Sequence, residues 1–211
     1  MTSETDPHPD IELSSNLNQF FRSVVQEAIR THSYETTHAA ETYLVALLTD
    51  YARPDQLTGE TLCRPLTLLL QEAMQLSGPE RFERLRVLGD GVLYVTGFFG
   101  DHLDTRGVAR SYVNALGARA YDGAASMLRS VTLNVAAEPS TPDLFRELSE
   151  KFPMFVELLS RIADGIQVNG ARSDRAMLKI YERWLKTGSH ELAQGLFARG
   201  LVPLRGDHTV H

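Results

Sequence analysis

"VLGDGVLYVTGFFGDHLD", residues 87–104, sets four glycines, two phenylalanines and three aspartates within eighteen positions. Two readings compete for it. As a strand, "VLYVT" (92–96) has β-propensity and finds a partner in "SVTLNVA" (130–136), where Val131, Leu133 and Val135 alternate with polar residues. As a helix running from Glu80 to about Phe99, it places Gly89, Leu93, Gly97 and Gly100 on one face at steps of four, four and three. An isolated two-stranded ribbon is marginal in water, and the rest of the chain repeats its apolar residues at helical steps. The helix is therefore the expected state.

Glycine inside a helix costs about 1 kcal/mol relative to alanine, so a close neighbour is expected to offset it. A following helix, about Val108 to Leu128, offers Val113, Gly117, Ala120 and Ala124 as a matching small-residue face. The two are expected to form an αα-hairpin joined by "GDHLDTRG" (100–107), with their side-chain-poor faces touching. On the opposite side Leu85, Leu88, Val92, Val95 and Phe99 are expected to enter the core.

Working outward, Leu13, Leu17, Phe20, Phe21, Val24 and Ala28 form one helical stripe, and Ala40, Leu44, Leu47, Leu48 and Tyr51 form another. A third joins Leu62, Leu66, Leu69, Ala73 and Leu76, ended by Gly78-Pro79. After the proline-bearing stretch 136–143, residues 144–165 read as helix again, kinked or reopened at Pro153. Ser173 is a cap for a helix with Met177, Ile180, Tyr181, Trp184 and Leu185 on its apolar side, and a short last helix ends at Gly200 and Pro203. The expected architecture is all-α, a single-domain bundle of about seven or eight helices over residues 11–204, with disordered tails at 1–10 and 205–211.

The composition is that of an ordinary globular protein, 43% hydrophobic and 23% charged over 211 residues. The lone Cys63 excludes an internal disulfide and a thiolate-rich metal site, and it suits a reducing cytoplasm. A buried, inert thiol is expected there. The N-terminus lacks the basic start and apolar run of a signal peptide, and no apolar run reaches bilayer length, so no membrane partner is expected. A net charge of −6 argues against bulk nucleic-acid binding. The charge is uneven, however. Residues 1–60 carry ten acids and three bases (net −7), while residues 172–205 carry seven bases and three acids (net +4).

"LGDGVLYVTGFF" followed by "YERWLKTGSHELAQGLFARGLVP" resembles a bacterial all-helical family with no assigned activity. The resemblance implies a helical fold beyond about residue 35 and carries over no catalytic residue and no cofactor.

Several groups are candidates for chemistry. Glu35-x-x-His38-x-x-Glu41 has metal-ligand spacing, but a di-iron bundle needs a second Glu-x-x-His pair, and a carboxylate such as Glu35 also suits a helix start. Asp90 lies between two glycines, with Arg86 one turn before it and Tyr94 one turn after. An Arg86–Asp90 ion pair is the plainer reading, and a pocket formed by Asp90, Tyr94 and His102 the sharper one. His102 sits between Asp101 and Asp104 in the expected hairpin loop, where carboxylates can tune an imidazole for proton transfer or simply cap a helix. No phosphate-binding, dinucleotide or H-E-x-x-H motif occurs.

The clearest pattern is basic. Arg172, Arg175, Lys179, Arg183 and Lys186 step by three, four, four and three along one helix face. Such a face is commonly only solvated, but it can also meet an acidic protein surface, including the acidic N-terminal helices of a second copy. The expected function is a non-catalytic cytoplasmic interaction or regulatory module that binds an acidic partner or itself, without a cofactor. The alternative is a helical metal- or cofactor-dependent enzyme. A weaker one is DNA binding through the helix-turn-helix outline of residues 162–184, whose glycines are poorly placed for that role.

Overall fold

The computed structural model describes residues 9–53, 64–105, 107–132 and 144–203, without the side chains of 9–15, 101, 102, 104, 105 and 130–132. The described residues contain nine helices and no strand: α1 (Pro9–His32), α2 (His38–Tyr51), α3 (Leu66–Gln75), α4 (Gly78–Thr105), α5 (Arg110–Thr132), α6 (Leu144–Glu150), α7 (Phe152–Gly170), α8 (Asp174–Thr187) and α9 (His190–Phe197). The all-α expectation holds, and "VLYVT" lies inside α4. Most of "SVTLNVA", like Cys63 and the tail residues 1–8 and 205–211, lies outside the described residues. α1 already begins at Pro9, inside the expected tail. No helix among the described residues is long and apolar enough to cross a membrane.

Packing gathers the chain into two compact units, one ending at Leu158 and the other beginning at Leu159. In the first, α4 and α5 make the most extensive pairing. Their register is antiparallel: Leu85 faces Gly123, Gly89 faces Tyr121, Val92 faces Gly117 and Gly100 faces Arg110. The hairpin exists, but two details differ from expectation. α4 continues through "DHLDT" to Thr105, so the connection is only residues 106–109, with Gly107 in the left-handed region (φ +69°) and the Val108 N–H donating to the Leu103 carbonyl at 3.2 Å. α4 also kinks at Phe99 (φ −123°, ψ 25°), which turns that side chain outward to 40% exposure instead of into the core.

The small-residue faces do not simply touch each other. A Cβ at Gly89 would lie 2.6 Å from the Tyr121 ring, and one at Gly117 would lie 2.3 Å from the Phe152 ring and 2.8 Å from Val92. The glycines are sockets for aromatic rings. The two rings meet each other at 5.9 Å, and Tyr121 also meets Phe145 of α6, whose centroid is 5.9 Å from it, 5.6 Å from Tyr43 and 5.3 Å from Phe82. Glu147, two residues on from Phe145, accepts from the Thr37 N–H at 3.0 Å and the Thr37 hydroxyl at 2.5 Å, tying α6 to the residue that caps α2.

The chain breaks at Lys151 and restarts with Pro153 in the first turn of α7, where its missing N–H costs nothing. This break separates α6 from α7. In the second unit Ala171, Ile180, Trp184, Leu192 and Leu196 form the core. α8 starts on Ser173, whose hydroxyl accepts from the Ala176 N–H at 3.2 Å, and ends at Gly188 (φ +68°). Arg199 donates to the carbonyls of Val168, at 3.0 Å, and Ala171, so a cation satisfies the C-terminal end of α7.

Gly165, inside α7, gives the simplest stability test. A Cβ there meets open space. Gly165→Ala is expected to stabilise by up to about 1 kcal/mol from helix propensity, raising the Tm by roughly 2–4 °C in thermal unfolding.

Candidate functional site

Asp90 is the one buried charged residue among the described residues of the first unit. It is 5% exposed on α4. Its Oδ1 accepts the hydroxyls of Tyr43, on α2, at 2.6 Å and Tyr121, on α5, at 2.7 Å, and its Oδ2 accepts from Arg86 Nη1 at 2.8 Å. Arg86 also holds Glu83, at 2.5 Å. Burial pushes the Asp90 carboxyl up to about 6, although the two tyrosines and Arg86 pull it down. Burial, reinforced by the nearby carboxylate, raises the Tyr43 and Tyr121 phenols well above their usual range.

The ion pair legible from the i, i+4 spacing is therefore real, and the two phenols are what sequence reading missed. Tyr94 is not one of the three donors. It stacks between Tyr51 (4.5 Å) and Phe98 (4.9 Å). The cleft over Asp90, bordered by Tyr43, Tyr51 and Arg86, encloses about 150 Å³. Small-molecule sites usually need about 300–1,000 Å³. Space for a few waters, around a carboxylate whose oxygens are already engaged, is a structural tie between three helices.

The other candidates separate in space. Glu35 is exposed and precedes α2, which is capped by Thr37, so Glu35, His38 and Glu41 do not share a helix face. The His38 side chain is 80% exposed, with Nδ1 3.8 Å from Glu41, and Glu41 accepts from Gln26 at 2.7 Å. No cluster of three metal-ligating side chains occurs among the described residues. The backbone of His102 is in the last turns of α4 rather than in a loop, and its side chain lies outside the described set, as does that of Cys63.

The five basic residues of the second unit do not all face solvent. Arg172, Arg175, Lys179 and Lys186 are exposed. Arg172 precedes α8, and Arg183 is turned inward, its Nε 2.8 Å from the nearly buried Asp164 with only 14% of its own side chain exposed. Arg183 is thus a fold residue, not a contact residue. Burial raises the Asp164 carboxyl against the pull of Ser189 and Arg183.

Comparison with protein-family models, with curated proteins and with solved structures finds no match. Residue roles therefore rest on the geometry alone, and the resemblance noted in the sequence assigns none.

That geometry adds three residues to α8. Leu178 is 57% exposed and Leu185 44%, with the half-buried Tyr181 between them, its ring 5.7 Å from that of Trp184. At 3.6 residues per turn these three fall within roughly 60° of one another, and Arg175, Lys179 and Lys186 fall within roughly 40°. The two rows are centred about 105° apart on the helix. Asp174 and Glu182 are also exposed on this surface. A groove of about 590 Å³ opens beside Leu178, bordered by Arg172, Met177, Tyr181 and Leu201.

Proposed function

We propose that this protein is a non-catalytic interaction module, working in a reducing cytoplasm, that binds an acidic partner through the outer surface of α8. The observation that carries this reading is the pairing of an exposed apolar row (Leu178, Tyr181, Leu185) with an exposed basic row (Arg175, Lys179, Lys186) on one helix. The two leucines, near or above half exposure, share one helix face with a tyrosine, and apolar surface rimmed by charge is characteristic of a contact site. The three exposed bases, Arg175, Lys179 and Lys186, against Glu182 leave the row positive, and Asp174 is spent on the α8 N-terminus.

The reading is tested with a fluorescent glutamate-rich peptide titrated into the full chain. Binding is expected at low salt and should weaken as salt shortens the screening length. Reversing Arg175, Lys179 and Lys186 to glutamate should reduce affinity about ten-fold or more. Arg183→Glu should instead lower stability, because it strands Asp164. Unchanged binding after the triple reversal would remove the basic row from the function. Tight binding of duplex DNA with a steep salt dependence would favour the nucleic-acid alternative.

A further inference from the structure

Resting on that reading, we infer that the partner presents an acidic amphipathic helix, which lies along α8 with its apolar seam on Leu178, Tyr181 and Leu185 and its acidic flank against Arg175, Lys179 and Lys186. The spacing of the apolar row is i, i+3, i+7, the period of a helix–helix seam. Its outer members are about 10 Å apart at 1.5 Å per residue, the distance between seam positions two turns apart on a partner helix. An extended strand repeats its same-face side chains every 6–7 Å or so and falls out of step over that length. α8 has 14 residues, about 21 Å of docking length, or four turns.

The charges fix which side of the partner is acidic. The basic row lies to one side of the apolar row only. On the other side α8 turns into its own core, at Ile180 and Trp184. A matching helix therefore carries its acids along one flank. Glu182 lies between the two rows, so a neutral or basic residue is expected opposite it. Rigidity supports the same conclusion: α8 is capped at both ends, by Ser173 and Gly188, and rests on Trp184. The surface is preformed, so the ordering cost falls on the partner.

The probes are three synthetic peptides: one with a leucine seam and glutamates on one flank, one with lysines replacing the glutamates, and one with the composition of the first but its seam scrambled. Each is titrated into the full chain by fluorescence anisotropy. Trp184, the chain's one tryptophan, reports through its emission on contact at α8. The seam peptide is expected to bind one to one, with the lysine and scrambled versions at least about ten-fold weaker. Leu178→Glu with Leu185→Glu should weaken the seam peptide by a similar factor, and because both side chains are exposed the variant should keep its Tm. Equal binding of the scrambled peptide would overturn helical docking while leaving charge recognition intact. Failure of the glutamate-rich and seam peptides alike would remove both. A self-associated state abolished by the leucine variant would make a second copy the occupant and overturn the inference of a separate partner.

Discussion

Asp90→Ala is expected to destabilise the first unit by about 3–5 kcal/mol, the usual cost of removing one member of a buried, hydrogen-bonded charge pair. The side chain joins three helices, so its loss is felt on each. Tyr43 and Tyr121 lose their shared acceptor, and the Tyr121 side chain is completely buried. A buried donor left without a partner costs about 1–3 kcal/mol. Arg86 keeps Glu83 but loses the inner half of its pairing. For a chain of this length the change corresponds to a fall in Tm of roughly 10 °C, measured by thermal unfolding. Asp90→Asn should cost less, because an amide oxygen still accepts both phenols, but its NH₂ then faces the Arg86 donor. A melting curve for Asp90→Ala that overlays the wild type would show that the tie is ornamental.

The same residue sets a pH dependence whose sign differs from that of an ordinary paired carboxylate. Asp90 titrates at about 6 in the fold and at about 3.9 when unfolded. Between those values the folded chain holds the extra proton, so the contribution of Asp90 is greatest below about pH 4 and falls as pH rises through 6. A gap of about two units corresponds to about 3 kcal/mol. Glu147 works the other way. Burial pushes its carboxyl up, but Thr37 and Lys151 pull it further down, so its contribution is lost as pH falls. The clean measurement is the wild-type stability minus that of Asp90→Asn in urea at pH 4 and pH 7, in which Glu147 cancels. The difference should be larger at pH 4. A difference that grows toward pH 7 would mean that the three donors outweigh burial.

What was legible in the sequence is what a single helix decides. The stripes Leu85, Leu88, Val92, Val95 and Ala40, Leu44, Leu47, Leu48 are buried as their spacing requires, and Arg86 meets Asp90 because i, i+4 places them together. What lay beyond it depends on how helices pack. Tyr43 and Tyr121 are 47 and 31 residues from Asp90, and no local pattern marks a tyrosine whose hydroxyl turns inward. Five cations at helical spacing look equivalent in the sequence, yet Arg183 is withdrawn because Asp164 on α7 faces it. Leu185 reads as core by hydropathy, but it falls on the far side of Tyr181 from Ile180 and is left outside. Glu35, His38 and Glu41 read as a face only if the helix begins early, and the Thr37 cap starts it too late.

The glycine stretch that decides the fold also decides where alanine, the better helix former, makes the protein worse. Gly117→Ala gains about 1 kcal/mol of helix propensity. Its Cβ would lie 2.3 Å from Phe152 Cζ and 2.8 Å from Val92 Cγ1. Both neighbours are buried, Phe152 completely, and a phenyl ring cannot yield at its tip without moving bodily. Overpacking of this kind costs about 1–3 kcal/mol, and with contacts as short as 2.3 Å the upper end applies, so a net loss of up to about 2 kcal/mol is expected in urea unfolding. Gly123→Ala is the control. Its Cβ meets only the Cδ1 end of Leu85 at 2.9 Å, with the next carbon at 3.6 Å, and a leucine can rotate away, so its stability should be close to wild type or above it. The decisive variant is Gly117→Ala combined with Phe152→Leu. If the ring is the obstacle, shortening it makes room for the new methyl, and the double variant should be more stable than the sum of the single costs allows. Strict additivity, or a Gly117→Ala protein as stable as the wild type, would mean that the α4–α5 hairpin has slack at this point and that the glycine is not a socket for Phe152.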